Sequence, residues 1–181
     1  MRIIAGEARG RQIAAPEGRN TRPTLDRVRE NIFNMLQADV PGSRVLDLFA
    51  GSGALSLEAL SRGAVSAVLV DSDRKANMVQ KKNAETLRYT DRTRILLSDW
   101  KKAVRVLQEE QQVFDLVFLD PPYCMTDLRD VFASLIPLSG PETLIVLEHE
   151  SGKDVTADER FETIRQKEWG FCAVSFYRLR V

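Results

Sequence analysis

The chain has 181 residues, 44% apolar and 29% charged, with Lys+Arg and Asp+Glu at 26 each. That length suits one sizeable core in an ordinary globular protein. Two cysteines, Cys124 and Cys172, and one histidine, His149, exclude a disulfide framework and are too few for a zinc site. The start MRIIAGEARG has no apolar signal region and no run of 18 apolar residues occurs, so the expectation is a cytoplasmic protein without a membrane partner.

Net charge is zero, but its distribution is uneven. Residues 1–29 carry seven arginines (Arg2, Arg9, Arg11, Arg19, Arg22, Arg27, Arg29) against Glu7, Glu17 and Asp26, so this segment is +4 on a body of −4. Such an arm suits an anionic partner, or it is a solvated surface.

In chain order, RIIAGEARGRQIA reads as a small hairpin, Arg2–Ala5 and Arg11–Ala14. A loop follows. Thr24 reads as an N-cap, with Leu25, Val28, Ile32 and Leu36 on one helical face up to about Gln37. From Arg44 strands and helices alternate. RVLDLF is strand one and GALSLEALSRG a helix closed by Gly63; SAVLVD is strand two and DRKANMVQKKNAETL a helix. RILLSD is strand three, followed by a helix over Trp100–Gln111; FDLVFLD is strand four and TDLRDVFASLIPL a helix; TLIVLEH is strand five. The tail ETIRQKEWGFCAVSFYRLR reads as two strands around Gly170. Apolar strands alternating with helices mean a parallel sheet covered on both faces, here with an antiparallel edge.

Open parallel sheets bind ligands beyond the carboxyl ends of their strands. Strand one runs into LDLFAGSGALSLE, where Gly51 and Gly53 allow a tight turn and close backbone approach at a helix N-terminus. Strand two ends at Asp71, 18 residues beyond Gly53, the place for a carboxylate to accept ribose hydroxyls. Strand three ends at Ser98-Asp99, within reach of an adenine edge. Asp71 and Asp99 also serve as possible helix caps, but together the three positions describe an adenosine-containing ligand. A dinucleotide fingerprint wants a third glycine where Ser56 stands, and no acid where Asp47 stands. S-adenosylmethionine (SAM) has no pyrophosphate and carries a free ammonium that Asp47 suits. SAM is therefore favoured over NAD.

VFLDPPYC then acquires a role at the end of strand four. An exocyclic base amine is a weak nucleophile because its lone pair is delocalised into the ring. The Asp120 carboxylate and the Pro121 carbonyl can accept its two N–H bonds and aim the lone pair at a methyl group. Pro121 and Pro122 fix two φ angles and remove two N–H donors, and Tyr123 can stack on the base. The bland alternative is a Pro-Pro strand terminator with a rim tyrosine. Cys124 raises a covalent pyrimidine-C5 route, but the cysteine patterns of such enzymes are absent; His149 reads as a strand-end residue without a chemical role.

MRIIAGEARGR, TRPTLDRVRENIFNML, LDLFAGSGALSLEALSRGA and VFLDPPY together resemble the bacterial RsmD-type methyltransferases, from Met1 to about Glu150. The resemblance implies a Rossmann-like α/β fold, a seven-stranded mostly parallel sheet in the order 3-2-1-4-5-7-6 with helices on both faces. It implies an N-terminal hairpin and helix over residues 1–43 that contact RNA and close over SAM, and a methyltransferase domain over 44–181. The implied activity is methylation of the exocyclic N2 of a guanine in small-subunit (16S) ribosomal RNA, the guanine known as position 966, within the small subunit or its assembly intermediate. SAM is the methyl donor and S-adenosylhomocysteine (SAH) the product, with no metal.

The candidate catalytic loop is then Asp120, Pro121, Pro122 and Tyr123. The candidate SAM residues are Thr24, Asp47, Phe49, Ala50, Gly51, Ser52, Gly53, Asp71, Ser72, Ser98, Asp99 and Trp100, and the candidate RNA contacts are Arg2, Arg9, Arg11 and Arg22. Two other readings share parts of this pattern: a DNA adenine-N6 or cytosine-N4 methyltransferase, and a non-catalytic RNA-binding module.

Overall fold

The computed structural model describes residues 1–17 and 23–180, without the side chains of Pro23 and Thr24. A first helix, α1 (Pro23–Met35), precedes the alternating β1 (Arg44–Asp47), α2 (Ala54–Ser61), β2 (Ser66–Asp71), α3 (Arg74–Leu87), β3 (Thr93–Leu97), α4 (Trp100–Glu109), β4 (Phe114–Leu119), α5 (Arg129–Leu135) and β5 (Ser139–Glu150). The chain ends in the hairpin of β6 (Phe161–Trp169) and β7 (Cys172–Leu179). The strands form one sheet in the order β3-β2-β1-β4-β5-β7-β6. β1 to β5 pair in parallel, while β7 is antiparallel to both β5 and β6.

Successive side chains of a strand point to opposite faces, and both faces here are covered. Val45, Leu116, Phe118, Leu144 and Val146 pack with Leu57 and Leu60 of α2 and Ile32, Phe33 and Leu36 of α1 and the turn after it. The intervening Leu46, Val117, Leu119, Ile145 and Leu147 pack with Val104 and Leu107 of α4 and Val131, Phe132 and Leu135 of α5. This explains why the central strands read as unbroken apolar runs. Among the described residues, no helix is long and apolar enough to cross a membrane.

The N-terminal segment is bound to this frame and its Ile3, Ala8 and Ile13 enter the same core. The buried Glu58 carboxylate of α2 accepts the Ile4 N–H at 2.8 Å and the Ala5 N–H at 3.0 Å. Ser61 Oγ accepts the Ala8 N–H at 2.9 Å and its carbonyl accepts the Glu7 N–H at 2.8 Å. The expected hairpin is correspondingly reduced. Its antiparallel pairing survives at the Arg2–Gln12 bridge, with Ile3 N–H on Arg11 O at 3.0 Å, but Ile4, Ala5 and Ala14 give their N–H groups to Glu58 and Asn83 instead of to a ladder.

Two helix starts differ from the sequence pattern. α1 begins at Pro23, so Thr24 lies in its first turn and is not the N-cap. Proline has no N–H to lose and its φ is already helical, which suits the first position. α5 begins at Arg129, not Thr126, because Leu128 N–H donates to Thr156 O at 2.8 Å and Thr156 N–H to Thr126 O at 2.9 Å, tying 126–128 to Thr156 in a parallel bridge. Pro137 turns the end of that segment into a 3-10 turn.

Gly6 tests the seating of the N-terminal segment. Its φ is +85°, and an added Cβ would collide with the Ser61 backbone, whereas Gly10, at φ +80°, faces open space. Gly6→Ala is expected to lower stability by at least ~2 kcal/mol and Gly10→Ala by only ~1 kcal/mol, measured by urea denaturation. Equal losses would show that the segment is not packed on α2.

Candidate active site at the carboxyl edge of the sheet

The loops beyond the carboxyl ends of β1 to β5 enclose two chambers. The larger, of about 610 Å³, is lined by Phe49, Asp71, Ser72, Asp73, Ser98, Asp99, Trp100, Met125 and the whole of Asp120 to Tyr123. The smaller, of about 150 Å³, is lined by Asp47, Ala50, Gly51 and Ser52, and is roofed by Met1, Pro16, Val28, Arg29 and Ile32 of the N-terminal segment and α1. Leu25, Phe49, Asp120 and Glu148 form walls of both.

Asp47, at the end of β1, is 1% exposed. Its Oδ2 accepts the Ser56 hydroxyl at 2.9 Å, while Oδ1 is buried without a partner. Burial, and then the charge of Asp71, push its pKa up to about 7 against the opposing Ser56 hydrogen bond. An orphaned buried carboxylate oxygen beside a chamber calls for a donor, and a ligand ammonium would satisfy it. The loop after β1 is held from α3, where Gln80 donates to Gly51 O at 2.9 Å and Asn83 to Ser52 O at 3.0 Å.

Asp71 accepts Gly51 N–H on Oδ2 and Asp73 N–H on Oδ1, both at 2.9 Å. Each oxygen keeps a lone pair for a further donor, the arrangement a ribose diol needs. Asp99 caps α4 through the Lys102 N–H at 3.1 Å, as one of its expected readings has it, and also borders the large chamber. Gly53 lines neither chamber. It takes φ 81° to open α2, and an added Cβ would come within 2.7 Å of Leu69, so it serves helix–sheet packing.

In the candidate catalytic loop, Met125 N–H donates to Pro122 O at 2.8 Å, closing a turn that places Asp120 to Tyr123 along the chamber wall. Partial burial, and then the negative groups around it with Glu148 first, raise the Tyr123 phenol and keep it protonated. Cys124 is exposed and lines neither chamber.

Sequence reasoning missed Glu148, whose carboxylate walls both chambers. Burial raises its pKa, and the Cys172 thiol donates to its Oε1 at 3.4 Å. Its signal was its place near the end of strand five, level with Asp120.

The arginines of the arm are not equivalent. Arg29 is 5% exposed, with Nη2 donating to Arg2 O at 2.6 Å and to Asp26 Oδ1 at 3.1 Å, so it belongs to the fold. Arg2 and Arg9 are exposed and line a separate hollow with Arg27. Arg11 donates to the Thr86 carbonyl of α3. Arg22 and the Thr24 side chain lie outside the described residues.

The family model described as "Conserved hypothetical protein 95" matches residues 1–178. Ribosomal RNA small subunit methyltransferase D of Escherichia coli K12 is 36% identical over 182 residues, covering 98% of this chain and 89% of that one. The chain belongs to this family, the RsmD type. The solved structure of hypothetical protein TTHA0928 from Thermus thermophilus superposes with a TM-score of 0.82 at 29% identity, covering 100% of this chain and 99% of that one. SMU.776, solved in complex with SAH, shares the fold at a TM-score of 0.72 and 13% identity, over 86% of this chain and 49% of that one.

The Asp47 pKa has a stability consequence. A raised acid keeps its proton in the native state from about pH 4 to 7 while the unfolded chain has lost it, so stability falls as pH rises through that window. Asp47→Asn is expected to be more stable than wild type by on the order of a few kcal/mol above pH 7, a gap that closes near pH 4, measured by denaturation at both pH values. A gap that does not change with pH would mean that Asp47 ionises normally.

Proposed function

We propose that the chain transfers the methyl group of SAM to the exocyclic N2 amine of a guanine in small-subunit (16S) ribosomal RNA. The observation that carries this reading is the place of the Asp120–Tyr123 loop. It stands where the two chambers meet, in a chain that belongs to the RsmD family.

SAM supplies an electrophilic methyl group on a sulfonium that is already a good leaving group. Asp47 Oδ1 receives the ammonium of its methionine end in the small chamber, and Asp71 accepts the ribose hydroxyls in the large one. Ser98, Asp99 and Trp100 border the adenine. Asp120 and the Pro121 carbonyl hold the N–H bonds of the target amine, and the Pro122 carbonyl is already taken by Met125. Most of the acceleration comes from this positioning. Tyr123 stacks on the base, worth roughly 1–3 kcal/mol. The target guanine must be unstacked to reach the chamber, so it lies in a loop, bulge or opened helix. Arg2, Arg9 and Arg11, with Arg22, supply phosphate contacts, and residues 1–43 act as both RNA contact and cover for the small chamber.

Transfer of tritiated methyl from SAM to ribosomal RNA, to 30S particles and to DNA tests the reading. RNA or particles are expected to be labelled and DNA not; labelling of DNA alone, or of nothing, would overturn it. Asp120→Ala is expected to abolish turnover with SAM affinity nearly intact, and Asp120→Asn to keep part of it, since an amide oxygen still accepts. Asp71→Ala is expected to weaken SAM by on the order of 1–3 kcal/mol in calorimetry. Because the ammonium needs Asp47 ionised, SAM affinity is expected to decline as pH falls below about 7, and a flat affinity from pH 8 to 6 would remove Asp47 from the site. Arg9→Ala with Arg11→Ala is expected to shrink the salt slope of RNA binding by about 1.4, at about 0.7 for each lost phosphate contact, without changing SAM binding.

A further inference from the structure

Two carboxylates meet at the junction of the chambers, Asp120 beyond the end of β4 and Glu148 on β5. The parallel register pairs Leu119 with Leu147, so the next residues, Asp120 and Glu148, stand side by side at about the 5 Å spacing of neighbouring strands. The Cys172 thiol, donating to Glu148 Oε1 at 3.4 Å, orients that carboxylate from β7.

We propose that Glu148 is the residue that selects guanine, its carboxylate accepting the ring N1–H while Asp120 accepts an N–H of the adjacent N2 amine. This rests on the guanine reading above. Two acceptors side by side match a base that carries an exocyclic amine next to a ring N–H. Among the four RNA bases only guanine does. Adenine and cytosine carry an amine, but the ring nitrogen beside it is a lone pair, which faces a carboxylate with no hydrogen between them. Uracil has a ring N–H and no amine. A single aspartate in the catalytic loop holds any of the three amines equally well, so Glu148 supplies the discrimination that the loop lacks. A site that leaves a buried acceptor unpaired rejects the wrong base far more strongly than one that merely lacks a contact.

The test first locates the nucleotide that wild type methylates, then compares RNAs ligated with guanine or 2,6-diaminopurine at that position, in the same naked or assembled form. Diaminopurine keeps the N2 amine but presents a lone pair at N1. Wild type is expected to lose about 100-fold in kcat/KM on diaminopurine. Glu148→Ala is expected to narrow that ratio to about 3-fold or less, by losing rate on guanine and regaining it on diaminopurine, against which no acceptor is then left unpaired. SAM affinity from calorimetry verifies that the variant is folded. A Glu148→Ala enzyme that loses rate equally on both bases, with the ratio intact, overturns the proposal. If Glu148→Ala binds no SAM, Glu148→Gln decides. Its amide can turn to donate to the diaminopurine N1, so the ratio shrinks if residue 148 reads the base and persists if it does not. A wild type that methylates no guanine at all defeats the functional reading itself, and this proposal with it.

Discussion

Parallel strands must all end on the same side, and here that side gathers six carboxylates: Asp47, Asp71, Asp73, Asp99, Asp120 and Glu148. Like charges brought together in a partly dry cleft resist ionisation. Asp47 and Glu148 show the cost in pKa values raised by burial. The surrounding backbone offsets part of it, with N–H groups of Gly51 and Asp73 on Asp71 and of Lys102 on Asp99. The remainder is left for a ligand. In the proposed reaction SAM brings two positive centres, an ammonium and a sulfonium, to an edge that has an acid surplus, and the orphaned oxygen of Asp47 is where the mismatch is sharpest.

A second set of contacts links the carboxyl edge of the sheet to the basic arm. Asn83 of α3 binds both the N–H and the carbonyl of Ala14, at 2.7 and 2.9 Å, and also donates to Ser52 O in the loop after β1 at 3.0 Å. One side chain thus ties the N-terminal segment to the turn beside the small chamber. Glu58 fixes the start of the segment, also accepting the Arg62 Nε–H at 2.8 Å, and Arg29 fixes Arg2 from the other side. The arm that carries Arg2 and Arg9 is therefore presented from a rigid frame, in a defined position relative to the site.

The alternating architecture was legible because the central strands are apolar on both faces, and Gly51, Gly53 and Gly63 mark the turns. The strand order was not: alternation alone does not say where a crossover lands, and that order came with the family resemblance. Local errors have local causes. Side-chain acceptors on distant helices, Glu58 and Asn83, took the N–H groups that an isolated hairpin would have paired. A bridge to Thr156 delayed α5, and the pattern of residues 126–138 carries no sign of it. Arg29 counted as a surface charge in the sequence, yet its donors are needed inside the fold. Glu148 stands next to His149, the residue that ends strand five in the sequence, and only the pairing of Leu119 with Leu147 brings it level with Asp120.

The central claim concerns which atom receives the methyl group, and the modified nucleoside itself reports that most directly. RNA methylated by wild type with a deuterium-labelled methyl donor can be digested to nucleosides and resolved by mass spectrometry. The account predicts that the label resides in N2-methylguanosine and nowhere else. Label in N6-methyladenosine, N4-methylcytidine or 5-methylcytidine would contradict it.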